Sequence, residues 1–193
     1  MVPWRYSHAR CDGRPLILKK YFGTATASIE DVRPAVWNAA SSQPDGEKDR
    51  TAILEQYKLY VEMADRISAR RGLTNTFFLT LNTAIFAAIG ASWKGRLAFP
   101  AWILVFPLVA LLVQCCAWFL LVRSYRQLNS AKYIVIGLLE ERLPASPYWN
   151  AEWKALGEGK DKSKYWPISH LEQWVPVIFA ATYMAAFIAA AAY

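Results

Sequence analysis

Two histidines and three cysteines in 193 residues leave little material for metal binding or nucleophilic catalysis. No Ser-His-Asp set, glycine-rich phosphate loop, HExxH pair or paired-cysteine metal site is present. Cys115 and Cys116 are neighbours inside an apolar run and read as small packing residues. Cys11 follows His8 by three residues but has no second pair of ligands, so a zinc site is not expected. Three cysteines give no disulfide framework. Acidic residues are also scarce, 15 against 22 Lys and Arg, for a net charge of +7. In a soluble chain that excess would raise nucleic acid as a partner. No basic-aromatic motif of a nucleic-acid module accompanies it, and basic residues beside apolar spans face anionic lipid headgroups. The expectations are no catalytic, cofactor-binding or metal residues, no nucleic-acid partner, and contact with membrane lipid. MVPWRYSHARCDGR lacks the apolar core of a signal peptide, so none is expected.

What the chain does have is hydrophobic residues, 55% of the total, and nine tryptophans. The stretch from Phe99 to Leu143 organises the rest. Residues 99–122 contain no charge, which is long enough to cross a bilayer core of roughly 30 Å as a helix. From Arg123 the pattern stays helical but gains charge, so the same helix leaves the membrane and continues into water, about 65 Å in all at ~1.5 Å per residue. Pro100 lies in its first turn. Pro107 is expected to kink it. Trp102 and Trp118 are expected at the two interfaces.

Residues 1–47 are punctuated by Gly13, Pro15, Gly23, Pro34 and SSQPDG, and read as an irregular segment. Residues 48–74 then form an amphipathic helix. Ile53, Tyr57, Tyr60, Ala64 and Ile67 recur at three and four. Glu55, Lys58, Glu62 and Arg66 occupy the other face, with Glu62 and Arg66 spaced as an i,i+4 pair. The first span covers 75–93 and carries Asn75 and Asn82, amides that in hydrocarbon usually hydrogen-bond another helix. Residues 94–98 make a tight turn and 99–122 the second span, where Gln114 is the strongly polar residue at depth. Asn82 and Gln114 are the candidate pore or interhelical polar residues.

Residues 123–172 form a helical region outside the membrane. Leu128, Ala131, Val135, Leu138 and Arg142 trace a stripe, and Tyr133 to Ile136 make the helix apolar nearly all round. A helix like that is buried on several sides. The amphipathic helix at 50–70 cannot wrap it alone, so neighbouring subunits are expected to cover it. A strand at 133–136 is the alternative, though Lys132 and Glu140 rather than turn residues bound the run. Pro144 and Pro147 end the helix. Trp149, Trp153 and Leu156 suggest a short helix folded back, and GEGKDKSK a solvated loop. His170 reads as an interfacial residue. The third span, 173–193, is uncharged, with Ala181, Ala185 and Ala189 as a small-residue association face.

The fold class expected is an all-α integral membrane protein with three transmembrane helices per protomer, two of them extended into a helical cytoplasmic domain. Of the Lys and Arg residues, 12 precede the first span, 2 lie in the turn and 8 lie between the second and third spans. Arg66, Arg70, Arg71, Arg123 and Arg126 stand close to the spans, which puts the N-terminus and 123–172 in the cytoplasm and the C-terminus outside.

The pattern Tyr125-x-x-Leu128-Asn129-x-Ala131-Lys132, Leu139-Glu140, Leu143-Pro144-x-x-Pro147 and Glu152-Trp153 resembles the RipA family of octameric bacterial membrane proteins. So does Leu54-x-x-Tyr57-Lys58-x-Tyr60-x-x-Met63-Ala64-Asp65 with Arg70-Arg71. The similarity covers roughly residues 50–190. It implies a homo-octamer in the bacterial plasma (inner) membrane with a helical cytoplasmic part, and supplies no catalytic residues. It suggests a polar network at subunit contacts involving Asn129, Lys132, Glu140 and Glu152. Val135, Leu138, Trp153, Ala181, Ala185 and Ala189 complete the expected contacts. Lys132 is expected to pair with Glu140 or a neighbour's Glu152. The functional readings are a non-enzymatic scaffold oligomer, a conduit lined by Asn82 and Gln114, or a ligand sensor with a crevice at Trp149, Trp153 and Arg142.

Overall fold

The computed structural model describes residues 29–38, 46–92, 101–157 and 168–192. Every regular element among them is helical. Helix α1 is Ile29–Val36 and α2 is Glu47–Ser92. A 3-10 turn, Ala101–Leu104, leads into α3, Val105–Glu140. A π-helical turn, Pro147–Glu152, runs into the short α-turn Trp153–Ala155, and α4 is Ile168–Ala192. Helices α2, α3 and α4 each contain a stretch long and apolar enough to cross a membrane. The turn at 94–98, the segment 158–167, His8, Cys11 and the side chain of His170 lie outside the described residues.

Helices α2 and α3 form a long antiparallel hairpin, and its register is visible in four contacts. Tyr57 meets Glu140, Asn129 meets Ser68, Trp118 meets Asn75, and Cys115 meets Asn82. Each step along α2 is matched by an opposite step along α3. The apolar stripe of α2 is the face turned inward: Ile53 and Ala64 are buried and Tyr57, Tyr60 and Ile67 half-buried. The charged face stays in water, with ion pairs from Lys58 to Glu55 at 2.8 Å and from Arg66 to Glu62 at 2.6 Å. Helix α4 packs against the apolar half of α3, with Phe179 beside Trp118.

Four expectations change. The segment 1–47 is not irregular throughout, because α1 forms at 29–36, with Glu30 and Asp31 in its first turn favouring its N-terminal amides. Pro107 is the third residue of the α-helical part of α3, immediately after the 3-10 turn. It therefore sits where the α-helix begins, and its missing N–H falls among the first-turn amides that have no helical partner anyway. Trp118 does not face outward as a belt tryptophan would: its side chain is 1% exposed inside the bundle, where Asn75 on the facing helix accepts its indole N–H at 2.9 Å.

The fourth change concerns the helix at 133–140. No strand forms there, and most of the helix is covered within one protomer, with Tyr133 left exposed. Ile134, Ile136, Gly137, Leu138, Leu139 and Glu140 are all buried. Besides α2, two elements that the sequence pattern did not reveal do the covering: α1 on one side and the π-helical turn on another. Sister copies are not needed to hide these buried residues.

Candidate functional site

Two polar clusters hold the hairpin, one beyond the apolar spans and one within them. The first is built on Glu140, the last residue of α3 and 1% exposed. Its Oε1 accepts from the Tyr57 hydroxyl at 3.0 Å and from the Tyr148 backbone N–H at 3.1 Å. Its Oε2 accepts from the Ser146 hydroxyl at 2.7 Å and from the Trp149 backbone N–H at 2.9 Å. The local sequence explains the two amides. Pro147 opens the π-helical turn and has no N–H, so Tyr148 and Trp149 supply its first free amides. A helix start concentrates partial positive charge, which suits a carboxylate. Burial first, and then the Glu140 carboxylate that accepts its proton, push the Tyr57 phenol well above the ordinary tyrosine pKa.

Gly137 completes this cluster. A methyl group there would lie 2.5 Å from the Trp149 ring, at Cε3. Glycine is thus what allows the indole to lie directly on the α3 backbone. Helix α1 closes the other side. Arg33 forms a two-pronged ion pair with Glu141 at 2.5 and 2.8 Å, and the Arg142 guanidinium lies 3.3 Å from the centroid of the Trp37 ring. Of the residues of the expected crevice, Trp149 sits on Gly137 and Arg142 on Trp37, while Trp153 is half-buried.

The second cluster lies within the spans and is built on Asn82, whose exposure is 0%. Its Nδ2 donates to the Phe78 carbonyl one turn back at 2.8 Å. The Tyr183 hydroxyl of α4 reaches Oδ1 at 2.9 Å and the Asn82 carbonyl at 3.2 Å. Around them Phe78 stacks on Trp118 with centroids 5.6 Å apart. Phe179 bridges Trp118 and Tyr183 at 6.1 and 6.2 Å. Asn82 is thus an interhelical polar residue of one protomer. Gln114 is half-buried on α3, and its Nε2 finds no hydrogen-bond acceptor among the described residues.

The residues expected at subunit contacts divide into two groups. Leu138 and Glu140 are buried in their own protomer, so the contacts they make are within the chain. Asn129 donates to Ser68 at 3.3 Å. Lys132 does not pair with Glu140, which lies two turns and about 12 Å further along the same helix; its ammonium lies 5.0 Å from the centroid of the Tyr60 ring. Val135 borders a small groove with Val32, Ala35 and Tyr60. Glu152 is exposed and Trp153 half-buried, while Ala181, Ala185 and Ala189 all lie on the exposed side of α4. Sequence reasoning missed Gly137, Ser146, Trp37 and the buried Pro176 inside α4. The LPASPYW run signalled a helix stop, but nothing local in it marks Glu140 as the group its amides serve.

A family model described as the octameric membrane protein family, 8xMP, matches residues 54–192. That description carries the octameric membrane character expected from the sequence but not the name RipA. No curated protein and no solved structure matches the chain.

Proposed function

This chain belongs to the octameric membrane protein family, and on that premise we propose that it is a non-enzymatic homo-octameric scaffold of the bacterial plasma membrane. In this reading each protomer contributes a three-helix membrane bundle and a preassembled helical head. The heads form a ring in the cytoplasm, where partner proteins would assemble. Arg66, Arg70, Arg71, Arg123 and Arg126, all on the head side of the spans, support a cytoplasmic head and N-terminus and an external C-terminus.

The observation that carries the scaffold reading is the inward use of polar groups. Asn75, Asn82 and Tyr183 hydrogen-bond inside one protomer. The outer faces left for neighbours are dominated by apolar residues, including exposed Ala181, Ala185 and Ala189. In lipid, small residues permit close helix packing where no hydrophobic drive exists. A conduit is the second reading, supported by the half-buried Gln114 amide whose nitrogen lacks an acceptor.

Native mass measurement in mild detergent tests the assembly, and a mass of eight chains is expected. Single-channel recording on the reconstituted protein then separates the readings: silent bilayers are expected of a scaffold. Discrete conductance abolished by Gln114→Leu would replace it with the conduit.

A further inference from the structure

We propose that Arg71, Arg123 and Arg126 form a binding site for the phosphate of an anionic phospholipid, one of whose acyl chains lies in the adjoining groove between α3 and α4. The hairpin register assembles the basic part. Ser68 meets Asn129 and Asn75 meets Trp118, so Arg71 and Arg126 face one another between those two contacts. Arg123 stands one turn nearer the span on the same side of α3. The start of α4 braces them: Glu172 Oε2 lies 3.3 Å from Arg71 Nε, and Arg126 Nη1 donates to Gln173 Oε1 at 3.1 Å.

These guanidiniums feel one another. Burial first, and then the charges of Arg123 and Arg71, lower the pKa of Arg126. An added anion relieves that repulsion, and a guanidinium fork fits two phosphate oxygens at once. Depth selects a lipid over a dissolved anion. Val122 ends the uncharged run and Arg123 follows it, so the cluster lies at headgroup level.

The groove supplies the second half of the argument. Leu112, Cys116, Phe119, Pro176, Val177 and Ala180 line an apolar furrow between the two helices. On α3 the positions 112, 116, 119, 123 and 126 follow helical spacing along one face. The furrow therefore runs up to the arginines. An apolar channel ending in positive charge matches a phospholipid, with its tail in hydrocarbon and its phosphate at the boundary.

Native mass spectrometry of the detergent-solubilised, full-length protein tests this, with added phosphatidylglycerol, phosphatidylcholine or inorganic phosphate as probes. Phosphatidylglycerol is expected to be retained over phosphatidylcholine. Arg123→Gln and Arg126→Gln are each expected to weaken its retention about fivefold. Arg126→Lys should keep part of the binding, and Ala180→Trp, which fills the furrow, should reduce retention of both lipids. Arg50→Gln, on the exposed start of α2, should change nothing. Melting midpoints check that each variant is folded; should Arg126→Gln fail to fold, Arg123→Gln decides alone.

Equal retention of the two lipids overturns the proposal. So does wild-type retention in a folded Arg123→Gln protein. Arginine-dependent binding of inorganic phosphate that displaces the lipid would assign the site to a dissolved anion. Dissociation of the assembly by Ala180→Trp, with phosphatidylglycerol retention unchanged, would overturn the lipid and assign the furrow to a second copy. The same spectra report subunit number, so failure of the octamer and failure of the lipid site are read separately.

Discussion

In the head, Glu140 gathers four hydrogen bonds from α2, from Ser146 and from the π-helical turn. In the spans, Asn82 gathers one turn of its own helix, the Cys115 thiol of α3 at 3.9 Å and a single hydroxyl from α4. Both residues are fully enclosed, yet they fix different amounts of structure. Glu140 is a charge, and removing a charge from water is costly unless donors replace the lost solvent. Here α2 and residues 146–149 must both be in place against the end of α3 to supply those donors. Asn82 is neutral, and an amide in hydrocarbon finds some partner even in a loosened bundle. The head is therefore specified by polar geometry, whereas the span is specified mainly by apolarity and ring packing, with its amides adding direction.

The largest test of this contrast is Glu140→Ala. It strands two backbone amides and two hydroxyls in a buried site, and a loss of about 3–5 kcal/mol of stability is expected, read as the unfolding free energy in mixed micelles. Conventional thermal melts should show the head losing structure before the spans. The same contact opens without mutation. The Tyr57 pKa is raised in the folded protein, so its stabilising effect is complete below the unfolded value of about 10 and is lost as pH rises from there toward the folded value. Wild-type melting points should fall above about pH 10, and Tyr57→Phe should flatten that fall. A wild-type curve parallel to that of Tyr57→Phe would remove the phenol from the cluster.

Next in size is Gly137→Ala. The new methyl meets the Trp149 ring at 2.5 Å, close to the rigid base of the indole rather than at a flexible tip. Overpacking of this kind costs about 1–3 kcal/mol. The substitution would raise helix propensity at an exposed site, so the sign of the change is diagnostic. A stabilised protein would show that Trp149 does not rest on the α3 backbone.

Asn82→Ala should cost less, about 1 kcal/mol. Tyr183 loses its side-chain acceptor but keeps the Asn82 carbonyl at 3.2 Å. The ratio of the Glu140 and Asn82 effects measures the difference between the two regions directly. Equal losses would mean that the span is specified by polar geometry as strictly as the head.

The same contrast explains what was legible in the sequence. The spans, the inward stripe of α2 from Ile53 to Ile67 and the Glu62–Arg66 pair follow from periodicity, which is local. The interhelical role of Asn82 was legible because an amide in an apolar run has few other options. The head was not. Glu140 reads as one more charge on a helix end, and its donors lie six to nine residues ahead and 83 residues back. Gly137 acquires meaning only from Trp149, and Trp118 only from Asn75 on the facing helix. Helix α1 is eight residues long and contains Pro34; its place depends on Glu141 and Arg142 far along the chain. Leu138 and Glu140 read from sequence as subunit contacts because the elements of the same chain that cover them carry no periodic signature.

The smallest expected effect concerns the surface of the head. The Arg33–Glu141 pair is two-pronged but 51% and 41% exposed on its two sides. Solvent and salt screen such a pair, and truncation typically costs about 0.2–1 kcal/mol. Arg33→Ala should therefore lower the melting midpoint slightly at low ionic strength, and the difference from wild type should shrink toward zero at about 1 M salt. Trp37, held against Arg142 at 3.3 Å, and the apolar contacts of Val32 and Val36 would keep α1 in place. A loss as large as that of Gly137→Ala, unchanged by salt, would instead make this pair part of the specifying core. The division between a polar-determined interior and a tolerant surface would then fail within the head itself.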